Sequence, residues 1–233
     1  MLIGRDRAAR TIYISQEAFI NALLVRYNLT GAVVPGKQLA AADCPASQEE
    51  KDDMVTRPYR ELVGALAWLA LGTRPDIAFV MGSLARFGHS PGRVHWDAAK
   101  RVLRYLKGVR GWRLRLGGEP PRVMVYTDAD WGILGDWRSV GAYVAKVGCC
   151  AFSWKMKEQT CVALSSTEAE YVALCQAAKE SVSGLPYRTL WWLVKAGKIG
   201  LTYVPTEKVL ADALTKSLPR AQHEYLARGV GLL

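Results

Sequence analysis

The chain has 233 residues, half of them apolar, and a net charge of +10 with a pI near 9.5. That apolar content excludes a disordered chain, and the positive balance favours a polyanionic partner, with nucleic acid ahead of an anionic membrane. The longest uncharged stretch, residues 62 to 73, is too short to cross a bilayer and the first residues form no apolar signal region. A soluble intracellular protein with no membrane segment is therefore expected. Five cysteines (Cys44, Cys149, Cys150, Cys161 and Cys175) without a Cys-x-x-Cys pair indicate neither a disulfide framework nor a zinc site.

In chain order, residues 9 to 15 alternate like a short strand, and Ser15 stands where it would cap a helix from Gln16 to about Tyr27. Residues 30 to 57, with Gly31, Pro35, Gly36, Pro45 and a polar run at 47 to 53, read as loop or linker. Pro58, Pro75 and Pro91 each mark the first turn of a helix, where proline's missing N–H costs nothing. The third of these helices carries Trp96, Ala99, Leu103 and Leu106 on one stripe. Lys100, Arg101, Arg104 and Lys107 lie on the other, and Arg110 continues the basic run. A solvated helix face and a face for phosphate contact both fit this pattern. Residues 117 to 121, Gly-Gly-Glu-Pro-Pro, then break the pattern and make the best domain boundary.

Beyond that boundary, residues 122 to 127, 139 to 147 and 150 to 155 read as three short strands in an antiparallel meander. A helix from about Ser166 to Glu180 follows, with Ala169, Val172, Ala173 and Ala177 toward the sheet. Residues 187 to 194 are expected to be helical, 199 to 205 a last strand, and 207 to 218 a last helix with Asp212 near its start. Ser165 and Glu168 have capping-box spacing, which gives Glu168 a structural task. Glu170 points about 200° round the helix from Glu168 and is free for chemistry.

Carboxylates thus come from a strand end (Asp128), a helix's first turns (Glu170) and a later helix (Asp212). Acids gathered from separate elements suit Mg²⁺, a hard cation with oxygen ligands. Each also has a plainer reading: Asp128 as a turn residue, Glu170 as a solvated helix position, and Asp212 as a first-turn acid favoured by the helix dipole.

Three further runs carry a resemblance: Tyr126-Thr-Asp-Ala-Asp-Trp131, Val162-Ala-Leu-Ser-Ser-Thr-Glu-Ala-Glu-Tyr171, and Tyr203-Val-Pro-Thr-Glu207 with Leu210-Ala-Asp-Ala-Leu-Thr-Lys216. They resemble the ribonuclease H domain of copia-type retrotransposon Pol polyproteins. Tyr59-Arg-Glu-Leu-Val-Gly-Ala-Leu, Thr73-Arg-Pro-Asp-Ile-Ala78 and residues 95 to 107 are similar to the segment that joins that family's reverse transcriptase to its ribonuclease H. The resemblance implies a mixed α+β or α/β architecture. Residues 1–57 would be the end of the reverse transcriptase region and a linker, and 58–118 a helical connection with the basic helix. Residues 122–233 would form a shortened ribonuclease H-like mixed sheet with helices.

It also implies Asp128, Glu170 and Asp212 as ligands of Mg²⁺ or Mn²⁺, and hydrolysis of the RNA strand of an RNA–DNA hybrid. Polymerase palm motifs are absent, so no DNA synthesis is expected. The family's further strand, with its fourth acidic ligand, has no counterpart, because residues 171 to 202 contain no Asp. The two-metal site is therefore expected to be incomplete and the activity impaired. A geometric expectation follows: the acids converge if residues 199 to 205 pair beside residues 123 to 127. Two other readings stay open, a non-catalytic nucleic-acid-binding protein using the basic helix and a product with no function.

Overall fold

The computed structural model describes residues 1–28, 39, 43–117, 122–132, 137–181, 194–195, 197 and 200–233, with side chains of 180 and 181 set aside. The chain divides into two compact units, Met1–Arg115 with Leu233, and Leu116–Leu232. Among the described residues, seven complete α-helices and two small three-stranded sheets make it a mixed α+β protein.

The first unit opens with a hairpin of β1 (Leu2–Asp6) and β2 (Thr11–Ser15), paired antiparallel from Leu2 opposite Ser15 to Asp6 opposite Thr11. Helix α1 (Glu17–Arg26) follows, and the Ser15 hydroxyl accepts the Glu17 N–H at 3.1 Å, so the expected capping residue acts one position ahead of the N-cap Gln16. Helix α2 (Gln48–Val55) replaces most of the expected linker. It carries a complete capping box, Ser47 Oγ accepting from Glu50 N–H and Glu50 accepting from Ser47 N–H. Only Met54 of this helix is buried, so it has no apolar stripe to announce it. The remainder of the expected linker, residues 30 to 38 and 40 to 42, lies outside the described residues.

Helices α3 (Tyr59–Gly72), α4 (Ala78–Ala85, preceded by a 3₁₀ turn Pro75–Ile77) and α5 (Arg93–Gly108) build the core. Leu62, Leu66, Leu69, Leu84, Leu103 and Leu106 are wholly buried in one cluster with Ile20 and Leu23 of α1. The prolines mark the starts as expected, although Pro58 serves as N-cap and α5 begins after Gly92. Arg74 is buried within this unit and tied to Asp76 by two hydrogen bonds, 2.9 Å from Nε to Oδ1 and 2.6 Å from Nη2 to Oδ2. Arg74 Nη1 also donates to the Val109 carbonyl at 3.2 Å, and the Tyr105 hydroxyl donates to Asp76 Oδ2 at 2.8 Å. The guanidinium faces the Tyr105 and Trp112 rings at 5.8 and 5.9 Å. Strand β3 (Leu114–Gly117) adjoins β2.

The second unit is a meander, β4 (Val123–Asp130), β5 (Val140–Val147) and β6 (Cys150–Glu158), ordered β4-β5-β6 and antiparallel throughout. A mixed sheet was expected; among the described residues this one has no parallel pair. Helix α6 (Ser166–Ser181) packs on it through Ala169, Ala173 and Ala177, all buried and spaced four apart. Small side chains on one stripe let the helix approach the sheet closely. Gly141 of β5 completes that fit, since a Cβ there would stand 3.3 Å from the Ala173 Cβ.

The expected strand at residues 199 to 205 is not formed: described residues 200–205 carry no strand pairing. The expected helix over residues 207 to 218 is replaced by two 3₁₀ turns, Thr206–Lys208 and Leu210–Leu214. A helix the sequence reading passed over, α7 (Arg220–Gly229), closes the unit. The Lys146 Nζ donates to the Gly229 carbonyl at 2.5 Å and Ala151 N–H to the Val230 carbonyl at 2.9 Å, so the end of α7 is held to the meander. Gly231 takes φ +95°, a conformation that favours glycine as the chain leaves the helix. The helix expected at residues 187 to 194 lies outside the described residues except for 194, which is helical.

Candidate active site and basic helix

Strand β4 is longer than its sequence pattern suggested, so Asp128 sits inside the strand rather than at its end, opposite Ala142 of β5. It is buried at 6% exposure. Asp130 follows on the same face two residues later, as strand alternation requires. At the start of α6, Ser165 Oγ accepts the Glu168 N–H at 3.2 Å. The Glu168 carboxylate accepts the Leu164 N–H at 2.6 Å, one residue before the expected partner. Glu168 is thereby committed to the cap. The Glu170 carboxylate instead accepts the backbone N–H of Ala129, which sets it beside β4 between Asp128 and Asp130.

Asp212 arrives on the 3₁₀ turn Leu210–Leu214, every residue of which is buried. Its carboxyl lies within hydrogen-bonding reach of Asp128. One turn on, the Thr215 hydroxyl donates to Asp128 Oδ2 and lies 3.2 Å from the Asp212 carbonyl. The Lys216 backbone N–H bonds to that same carbonyl at 3.2 Å, which brings its side chain back over Asp212. Lys216 Nζ then stands 2.6 Å from Asp212 Oδ1 and 3.5 Å from Asp128 Oδ2. Asp128 and Asp212 therefore meet through a 3₁₀ turn and without the expected strand, and Glu170 lies near enough for its ionisation to feel Asp128.

Ionisation of Glu170, Asp212 and Asp130 is disfavoured. Burial, then the charge of Asp128, pushes the Glu170 carboxyl above the usual carboxylate range, against the Ala129 hydrogen bond. Glu170 keeps much of its surface open to solvent, which screens that push. Asp212 is raised by burial and by Asp128, and Asp130 by burial and by both aspartates, with Lys216 opposing each. For Lys216, burial works against the charged form, and Asp212 and Asp128 more than reverse it, so its pKa is raised. Asp130, Thr215 and Lys216 carried no assigned role in the sequence reading. Their signals were the period of two along β4 and the four-residue step from Asp212 to Lys216.

Carboxylates suit a hard divalent cation, but their arrangement does not. Among the described residues no three His, Cys, Asp or Glu side chains are grouped so as to hold a metal ion. Asp128 and Asp212 close around the Lys216 ammonium, and Glu170 and Asp130 feel that pair without joining it.

In the first unit, Lys100, Arg101, Arg104 and Lys107 share one face of α5, and Arg110 is exposed just beyond its end. Lys100 Nζ pairs with Asp97 at 3.1 Å and lies 5.7 Å from the Trp96 ring centre. Lys107 and Arg110 line an open cavity of about 660 Å³ with Glu17, Asn21, Leu24, Val25 and Asn28. All five cysteines are free thiols. Among the described residues no helix is long and apolar enough to cross a membrane.

These features define a two-unit α+β chain in which acids from a strand, a helix and a later turn converge in one unit, and a basic helix face lies in the other. The chain belongs to the retrovirus-related Pol polyproteins of copia-type transposons. It is 41% identical over 189 residues to the retrovirus-related Pol polyprotein from transposon TNT 1-94 of Nicotiana tabacum, which covers 78% of this chain and 14% of that protein. The similarity to the corresponding polyprotein from transposon RE2 of Arabidopsis thaliana is 28% over 276 aligned positions, covering 99% of this chain and 19% of the relative. That alignment is longer than the chain, so the relative carries residues that this chain lacks. The chain is also 43% identical over 127 residues to secreted RxLR effector protein 161 of Plasmopara viticola, over 54% of this chain and 89% of that protein. The chain thus spans less than a fifth of the length of these polyproteins. No protein-family model and no solved structure matches it.

Proposed function

We propose that this chain is the connection and ribonuclease H part of a copia-type Pol polyprotein. Its ancestral reaction is metal-dependent hydrolysis of the RNA strand of an RNA–DNA hybrid, and that reaction is reduced here. The carrying observation is the closure of Asp128 of β4 and Asp212 of the 3₁₀ turn Leu210–Leu214 around one ammonium, with Glu170 of α6 near enough for the Asp128 charge to disfavour its ionisation. Stability does not require such acids to come together, since burial and the charge of Asp128 raise the cost of ionising Glu170 and Asp212. Mg²⁺ or Mn²⁺ is the cofactor that the family resemblance implies, and the reduction follows from an arrangement in which an ammonium, with two of the acids around it, holds the centre.

The basic face of α5 supports a second, compatible role in binding nucleic acid along its phosphates, independent of cleavage. Cleavage of a labelled hybrid in Mg²⁺ or Mn²⁺ by the full chain and by Glu170→Gln tests the first reading. Slow cleavage by the chain that falls at least about tenfold in the variant is expected. Equal cleavage by the two would assign the activity to a contaminant.

A further inference from the structure

We propose that Lys216 is the resident counter-cation of this site, so that a divalent ion gains Asp128 and Asp212 only by displacing its ammonium. The proposal rests on the reading of these two acids as the ancestral metal-binding pair. Three features of the chain carry it. Lys216 Nζ contacts both carboxylates, at 2.6 Å from Asp212 and 3.5 Å from Asp128, and so stands where a cation shared by the two would bind. The Thr215 hydroxyl takes a further lone pair of Asp128, so a metal approaching that oxygen meets a hydrogen bond as well as a charge.

The third feature is access. Asp212 and Asp128 side chains are 2% and 9% exposed, whereas the Lys216 side chain is 34% exposed. The carboxylates are fixed in the fold and the ammonium lies at its edge, on a flexible four-carbon stem. It can swing into solvent without unfolding the turn, because the turn is held by backbone bonds from Thr215 and Lys216 to the Asp212 carbonyl. The buried carboxylates need a positive partner, and whichever cation leaves must be replaced by another. Lysine and metal therefore compete for the same two oxygens.

The test counts free Mn²⁺ by electron paramagnetic resonance during titration of the full chain, and follows thermal melting with and without Mn²⁺. Lys216→Gln is expected to bind Mn²⁺ at least about tenfold more tightly than the parent chain, as loss of one competing charge at contact distance implies. Lys216→Arg, which keeps the charge, is expected to bind as weakly as the parent. Asp128→Asn/Lys216→Gln is expected to lose the gain, which would locate it at this pair. In metal-free buffer Lys216→Gln is expected to melt about 3 °C lower, and Mn²⁺ to restore the loss.

Equal Mn²⁺ affinity of the parent and Lys216→Gln, whether both bind or neither does, overturns the proposal, as does a gain that survives Asp128→Asn. The two readings fail separately. A parent chain that cuts hybrid in a Glu170-dependent way while binding Mn²⁺ as tightly as Lys216→Gln retains the nuclease reading and loses the counter-cation. Tight binding by Lys216→Gln alone, with no hybrid cut by the parent, does the reverse.

Discussion

Arg74→Met is expected to destabilise the first unit by about 3–5 kcal/mol, the range for removing one partner of a buried ion pair. Arg74 is fully buried, and its loss leaves the Asp76 carboxylate in the interior with the Tyr105 hydroxyl as one of its remaining supports. It also removes a donor from the Val109 carbonyl and the cation facing Tyr105 and Trp112. A domain's whole stability is about 5–15 kcal/mol, so much of this unit would unfold at 37 °C. Urea denaturation followed by tryptophan fluorescence measures the loss. Arg74→Met/Asp76→Leu should recover a large part of it, because a charge no longer remains unpaired. A loss under about 1 kcal/mol in the single variant would show that the pair is not the keystone of α3, α4 and α5.

The second large effect concerns nucleic acid. Arg104→Glu/Lys107→Glu/Arg110→Glu is expected to weaken binding of an RNA–DNA hybrid about 100-fold near 0.1 M salt. It should also flatten the dependence of log affinity on log salt by about 2 to 3 units. All three positions keep solvent access, so the melting point should move little. Fluorescence anisotropy at several salt concentrations reads both quantities. An unchanged affinity with an unchanged slope would place the hybrid elsewhere on the chain, and the basic face would then be a solvated one.

The elements legible in the sequence were those whose burial leaves a period. The alanines of α6 and the leucines of α3 and α5 point to the faces that the fold buries, whereas β5 is buried on both faces and was marked by the turn signals around it. Helix α2 was missed because it buries one residue; its only signature was the cap from Ser47 to Glu50, the same motif that located the start of α6. The β1 strand shows no buried residue on either face, so no alternation marked it. Residues 210–214 are apolar apart from Asp212 and wholly buried, which periodicity reads as helix, although the chain turns there as 3₁₀.

At the site, the sequence named three acids and left out the lysine that lies between two of them. Asp128, Glu170 and Asp212 were visible through the family motifs and through the cap that committed Glu168. The route by which they meet was not visible. It uses the turn at residues 210–214, where pairing of residues 199 to 205 beside β4 was expected. Lys216 stood at four residues from Asp212 in plain view, but the same spacing is found in exposed helix ion pairs such as Arg220 and Glu224. Only burial separates the two cases: Arg220 is 91% exposed, while Asp212 lies in the interior.

The convergence of the acids is the claim on which the site depends, and a ¹³C NMR titration of the Glu170 carboxyl in the metal-free full chain tests it most directly. Its pKa is expected above the ordinary glutamate value, because burial and the Asp128 charge both disfavour the ionised form. It should fall toward that value in Asp128→Asn, with a smaller fall in Asp212→Asn, since Asp212 contributes least of the causes at work. A raised native pKa also fixes the sign of the pH effect: this group stabilises the fold as pH drops from neutral through its folded pKa, with no further gain below the unfolded value near 4. A Glu170 that titrates at the ordinary value and does not respond to either substitution would contradict the convergence of β4, α6 and the 210–214 turn.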